Sequence, residues 1–230
     1  MNREAGHALM TMADLRFGDH ICCLYEGDNE HSAFLSSFLH KGLDRGERIL
    51  YVTDARTPEA FLSLFNRKDR MRAERYLEDE NLLILSAHDT YLRDGVFDPD
   101  KMISLLQSET EKSLMEGYEG LRVTSEMTWA LNRQPGSQRL IEFESKLDAF
   151  LPGSKCMVMC QYDQRQFGPI LLLYVMATHP IAVIGKEVYD NFYYMPPPEF
   201  LTRRGIPVTT LHHWLENLTI RKQAMASHYA

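Results

Sequence analysis

The sequence predicts an α/β fold, a three-layer sandwich around a mainly parallel sheet. Short apolar runs alternate with helical stretches as far as about residue 186, the pattern of strands joined by crossover helices. These runs are apolar nearly throughout, as ILYV at 49–52 and CMVMC at 156–160 show, so both faces of the sheet require a helical cover. Residues 20–54 supply the opening unit: an apolar run, a polar turn, an amphipathic stretch and a second apolar run ending in Thr53 and Asp54.

In chain order, strands are expected at 20–25, 48–53, 82–86, 120–124, 156–162 and 181–185, with helices at about 32–45, 58–78, 98–116, 136–150 and 168–178. In the first helix Phe34, Leu35, Phe38, Leu39 and Leu43 form the apolar side, and Gly46 stands at the stop. The third starts behind Asp98 and Pro99, turns Met102, Leu105 and Leu106 to one side, and closes near Gly117. The pattern then changes. Residues 186–200, KEVYDNFYYMPPPEF, hold a triple proline that fits neither a helix interior nor a central strand, so a hairpin or extended arm is expected. Helical spacing returns through Leu211, Trp214, Leu215 and Leu218, with Arg221 and Lys222 near the end. This last helix either packs on its own domain or serves a homodimer seam or an output module.

The 230 residues, 44% of them hydrophobic, suffice for one sizeable core. Twenty-five basic against 32 acidic side chains give a formal charge of −7, which argues against a broad surface for nucleic acid or anionic lipid. No run reaches the ~18 apolar residues of a membrane span, and the N-terminus lacks the apolar core of a signal peptide, so a cytoplasmic location is expected. The four cysteines do not make a secreted disulfide framework and are expected as thiols or ligands.

The segments GDHICCLYE, FLHKGLDRGERILYVTD, GVFDPDKMI, EGYEGLRVTSEMTWAL, CQYDQRQF, ATHP and DNFYYMPPPEF, in this order, resemble the MEDS domain, a sensory domain named for methanogens, methylotrophs and a dichloromethane-responsive regulator. The resemblance spans roughly residues 15–202, leaving 1–14 as an N-terminal extension and 203–230 as a C-terminal helix that is a dimer or output connector. It implies a RecA/KaiC-like sandwich with a degenerate phosphate loop. It also implies a module that senses simple hydrocarbon or C1 derivatives and regulates a histidine kinase or transcription regulator.

The first turn, Glu26-Gly27-Asp28-Asn29-Glu30-His31, supports the loss of phosphate binding on chemical grounds. Phosphates need backbone donors and a cation. With Ser32 set against the hydroxyl of a phosphate loop, His31 stands in for the lysine and Glu30 for a glycine. Each unit repulsion at 4 Å is about 4 kcal/mol at an effective dielectric of ~20, so ATP hydrolysis is not expected here. The bland alternative is a solvated helix start capped by Asp28, Asn29 or Ser32.

Two sites remain candidates. At the carboxyl ends of the strands, where open α/β sheets bind ligands, stand Tyr25, Glu26, Thr53, Asp54, Ser125, Glu126, Trp129, Gln161, Tyr162 and Asp163. Tyr25, Glu126, Trp129, Cys160 and Tyr162 are the expected ligand-binding side chains, with core packing as the alternative for Trp129 and Tyr162. If the sheet order of the family holds, strand 156–162 lies beside strand 20–25, and His20, Cys22 and Cys160 then converge as a metal-ligand set. Imidazole with thiolate suits zinc, iron or haem, so a metal or haem cofactor stays open. No CxxC or HExxH accompanies them, and His179 before Pro180 is expected as a helix C-terminal cap. The favoured function is a non-catalytic sensory module binding a small molecule. The alternative is a thiol- or metal-dependent redox sensor or enzyme, for which neither a Ser-His-Asp order nor GxSxG is present.

Overall fold

The computed structural model describes residues 10–54, 61–62, 67–197 and 211–228. Seven strands, β1 (His20–Tyr25), β2 (Arg48–Thr53), β3 (Leu82–Ser86), β4 (Leu121–Glu126), β5 (Cys156–Asp163), β6 (Ile181–Ile184) and β7 (Glu187–Asp190), form one sheet in the order β3-β2-β4-β5-β1-β6-β7. All neighbours are parallel except β6 and β7. The expected α/β sandwich is thus present, with β5 beside β1 and Cys22 opposite Cys160 in register. Of the expected arm, β7 folds back on β6 as a hairpin, with Gly185, at φ +67°, in the left-handed turn position, and residues 198–200 lie outside the described residues.

Six helices are described: α1 (Asp28–Asp44), α2 (Arg67–Glu78), α3 (Pro99–Met115), α4 (Leu140–Phe150), α5 (Pro169–Thr178) and α6 (Leu211–His228). Part of the expected 58–78 helix lies outside the described residues. Strict alternation along the strands divides the core in two. Ile21, Cys23, Tyr25, Met157 and Met159 meet Phe34, Leu35, Phe38 and Leu39 of α1 on one face. On the other, Cys22, Leu24, Val158, Cys160 and Tyr162 meet α3, α4, α5 and α6. Trp214 and Leu218 of α6, two residues that a subunit seam would use, are buried against this second core. Trp214 stacks on Tyr193 at 4.1 Å, and Asn217 donates to the Tyr193 hydroxyl at 2.8 Å.

Helix starts follow the sequence with one correction. Asp98 caps α3 by accepting from the Asp100 amide at 2.9 Å, with Pro99 at the first position. In α1 the cap is Gly27, without a side-chain bond, and none of Asp28, Asn29 or Ser32 takes that role. The helix begins four residues earlier than its apolar side suggests, because Asp28 and Glu30 lie in a first turn whose dipole favours acids.

A buried arginine fixes the α1 face. Arg122 of β4 donates Nε to Glu47 at 2.5 Å, Nη2 to Glu47 at 3.2 Å and Nη1 to the Phe38 carbonyl at 3.3 Å, and its guanidinium lies 4.5 Å from the Phe38 ring centroid. Gly42 makes room for it: a Cβ there would approach Arg122 Nε to 2.6 Å. Removing one partner leaves an uncompensated buried charge. Glu47→Gln should therefore cost about 3–5 kcal/mol, read as a lower urea midpoint at unchanged slope, whereas replacing both partners with apolar residues of similar volume should recover most of it.

Candidate functional site

At the carboxyl end of β1 the turn that resembles a lost phosphate loop is filled by its own side chains. His31 is buried, with its ring stacked on Tyr25 at 4.1 Å and Nε2 hydrogen-bonded to Gln161 Oε1. Gln161 in turn donates to Thr124 Oγ1 at 2.7 Å. Ser32 Oγ donates to the Asp28 carbonyl at 2.6 Å, and Arg165 bridges Asp28 at 3.0 Å and Asp163 at 2.7 Å. Two strands away, Glu126 accepts from the Tyr51 hydroxyl at 2.6 Å, Thr53 Oγ1 at 3.3 Å and the Asp54 amide at 3.1 Å. The neighbouring cleft, about 630 Å³ and open, lies between these strand ends and α6, with Glu26, Glu30, Glu216, Ile184, Leu215 and Ile220 in its wall.

A second constellation sits inside the opposite core. α4 turns Leu140, Phe143, Glu144, Leu147 and Asp148 inward, so two carboxylates occupy positions of an apolar stripe. His20 donates Nδ1–H to Asp148 at 2.9 Å and presents Nε2 to Glu144 Oε2 at 3.2 Å. Cys160 Sγ lies 3.5 Å from the same oxygen and 4.0 Å from His20 Nε2. The Tyr162 hydroxyl donates to the other Glu144 oxygen. His179, at the end of α5, bonds Nδ1 to the Val175 carbonyl at 2.7 Å, as a helix C-terminal cap would, while its ring lies 3.9 Å from that of His20.

A carbonyl only accepts, so the proton of His179 is on Nδ1 and Nε2 carries a lone pair. That Nε2 is buried, lies 3.5 Å from Glu144 Oε2 and has no hydrogen-bond partner among the described residues. Burial, reinforced by the charge on His20 and only partly opposed by Glu144, lowers the His179 pKa to about 3. For His20 burial also opposes charge, but Asp148 and then Glu144 outweigh it and raise the pKa to about 9. Glu144 is held below the usual range: burial works against its charge, and the charge and hydrogen bond of His20, with the hydrogen bond from the Tyr162 hydroxyl, favour it. Burial, with the Glu144 charge as a further cause, pushes the Cys22, Cys160 and Tyr162 protons well above their ordinary pKa values. Burial thus favours the protonated thiols of Cys22 and Cys160 in this arrangement.

The expected site residues are therefore split by the sheet. Tyr25 and Glu126 lie on the α1 face, whereas Trp129, Cys160 and Tyr162 lie on the other, and the five do not form one pocket. Trp129 is sealed between Tyr91 at 4.7 Å and Phe97 at 4.5 Å. Of the expected metal set, His20 and Cys160 come together. Cys22 does not join them, since its thiol is directed to the Ile181 carbonyl at 3.6 Å and Met176 Sδ at 4.0 Å. Glu144 and His179 complete the group instead. Glu144 had a readable signal in its place on the apolar side of α4. His179 had none beyond its position before Pro180.

Comparison with known proteins gives a family match. The model described as MEDS, methanogen/methylotroph, DcmR sensory domain, matches residues 19–180. No curated protein matches the chain. Among solved structures, the flagellar accessory protein FlaH from Methanocaldococcus jannaschii is similar at 14% identity and a TM-score of 0.47, over 76% of each chain. No helix among the described residues is long and apolar enough to cross a membrane.

The filled turn bears directly on nucleotide binding. Calorimetric titration with Mg-ATP should detect no binding with a micromolar dissociation constant, and Ser32→Ala should leave that result unchanged, because its hydroxyl is held by the Asp28 carbonyl.

Proposed function

The chain belongs to the MEDS sensory-domain family, and on that premise we propose that it is a non-catalytic sensory module for a small organic molecule, which binds at the carboxyl ends of β1, β5 and β6. The observation that carries this reading is the open cleft beneath α6. Its volume, about 630 Å³, falls in the range of small-molecule sites. Its wall combines Ile184, Leu215 and Ile220 with three carboxylates, Glu26, Glu30 and Glu216. Among simple hydrocarbon derivatives, such a wall favours a cation with an apolar body, a methylated amine rather than an alcohol or halomethane. A phosphate ester is disfavoured by the same charges.

Occupancy would reach a signalling partner, a histidine kinase or transcription regulator, through α6. Leu215 and Ile220 touch the cleft while Trp214 and Leu218, on the adjoining side of the same helix, are anchored in the core. A ligand that changes the seating of α6 therefore acts on a helix with contacts in both places. Gly185 is part of this arrangement, since a Cβ at its position would come within 2.7 Å of Glu30 Oε1.

Thermal shift and Trp214 fluorescence during titration with mono- to tetramethylammonium, methanol and dichloromethane test the reading. Trp214 is the useful reporter because Trp129 is sealed in the core. The methylated ammonium ions should bind in preference to the neutral compounds, and Glu30→Gln should weaken them about tenfold or more, the scale of one charge-assisted contact. Equal response to the neutral compounds, or ammonium binding unaffected by Glu30→Gln and Leu215→Ala, would refute it.

A further inference from the structure

The cluster on the α4 face has the construction of a metal centre. We propose that His20 Nε2, His179 Nε2, Cys160 Sγ and Glu144 Oε2 form a binding site for one divalent transition-metal ion of the zinc class. These four donor atoms lie within 4.8 Å of one another, and His20 Nε2, His179 Nε2 and Cys160 Sγ stand 3.2, 3.5 and 3.5 Å from the Glu144 oxygen. A tetrahedron with ordinary Zn–N and Zn–S bond lengths has edges of about 3.3–3.5 Å. The separations to the Glu144 oxygen are thus near coordination spacing.

Outer contacts aim each donor inward. Both imidazoles use Nδ1 elsewhere, His20 on the Asp148 carboxylate and His179 on the Val175 carbonyl, and this leaves Nε2 of each directed at the shared space. Tyr162 holds the second oxygen of Glu144. His179 Nε2 is buried 3.5 Å from Glu144 Oε2 and has no hydrogen-bond partner among the described residues, so it is an uncommitted ligand atom beside the carboxylate. Two neutral imidazoles, one thiolate and one carboxylate neutralise a divalent ion, so a site without water carries no net charge. Loading displaces the Cys160 thiol proton and the His20 Nε2 proton to solvent.

The donors are buried, so the ion enters during folding. The protein is unfolded in guanidinium with a chelator and refolded with Co(II) or Zn(II), and binding is followed by absorption, metal content and melting temperature. The expected result is one ion per chain, a raised melting temperature, and a Co(II) spectrum with a thiolate charge-transfer band and intense four-coordinate visible bands. Cys160→Ser should abolish the charge-transfer band, whereas Cys156→Ala, on the same strand and face, should keep it. Asp148→Asn should weaken Co(II) binding about 10–100-fold, as loss of an outer partner does. His179→Gln should lose four-coordinate binding while retaining far-ultraviolet circular dichroism. Refolded wild-type protein with neither stoichiometric metal nor a thermal shift would overturn the proposal, as would a charge-transfer band that survives Cys160→Ser. If the single variants fail to fold, the wild-type titration still decides.

Discussion

Helices on both faces leave the strands β2, β4, β5 and β1 buried along their whole length, so the polar side chains they carry must be satisfied by the protein. The two faces meet this constraint differently. On the α1 side Arg122 is closed off by Glu47, the Phe38 carbonyl and the Phe38 ring. On the other side, polar groups from β1, β5, α4 and the end of α5 share one carboxylate, Glu144, and the sharing is incomplete at His179. A buried charge costs several kcal/mol unless fully compensated, and an apolar residue at 144 would avoid that cost. Retaining Glu144 in an apolar stripe is intelligible where its charge has a task beyond packing.

The β1–α1 turn shows how a helix N-terminus is closed to an outside anion. The positive end of a helix dipole is where an anion would bind, and in α1 that end is occupied by the chain's own Asp28 and Glu30. Arg165 pairs with Asp28 from outside, and the imidazole of His31 turns inward to Gln161 and Tyr25. The outcome is more than the loss of an interaction. The neighbouring cleft carries three acidic side chains, Glu26, Glu30 and Glu216, in its wall.

Much of the fold was legible because periodicity and turn residues are local signals. The apolar strands, the Asp98-Pro99 start of α3 and the hairpin after Gly185 all follow from short stretches of chain. The meeting of His20 with Cys160 was legible only through an expected strand order, and β5 indeed pairs with β1. The five expected ligand-binding side chains are divided between the two faces for a reason that alternation itself contains. Tyr25 and Glu126 have the phase of the α1 face, while Cys160 and Tyr162 have the opposite phase, and a common position at strand ends does not bring them across the sheet. Glu144 and His179 come from helices whose rotation about the sheet is set by packing, so no spacing within the strands pointed to them.

The position of the cluster gives it a mechanical connection that a core location alone would not. Asn191 donates its side-chain amide to the Met176 carbonyl at 2.6 Å and the His179 carbonyl at 2.7 Å, and its oxygen accepts from the Tyr193 amide at 3.0 Å. Tyr193 then stacks on Trp214 with rings 3° from parallel. The backbone that carries one donor of the cluster is therefore tied through a single asparagine to the aromatic contact that seats α6. The same helix α6 also walls the cleft, so the cluster and the cleft share one structural element. Hydrogen bonds and ring stacking thus run from α5 through Asn191, which is buried, and Tyr193 to α6.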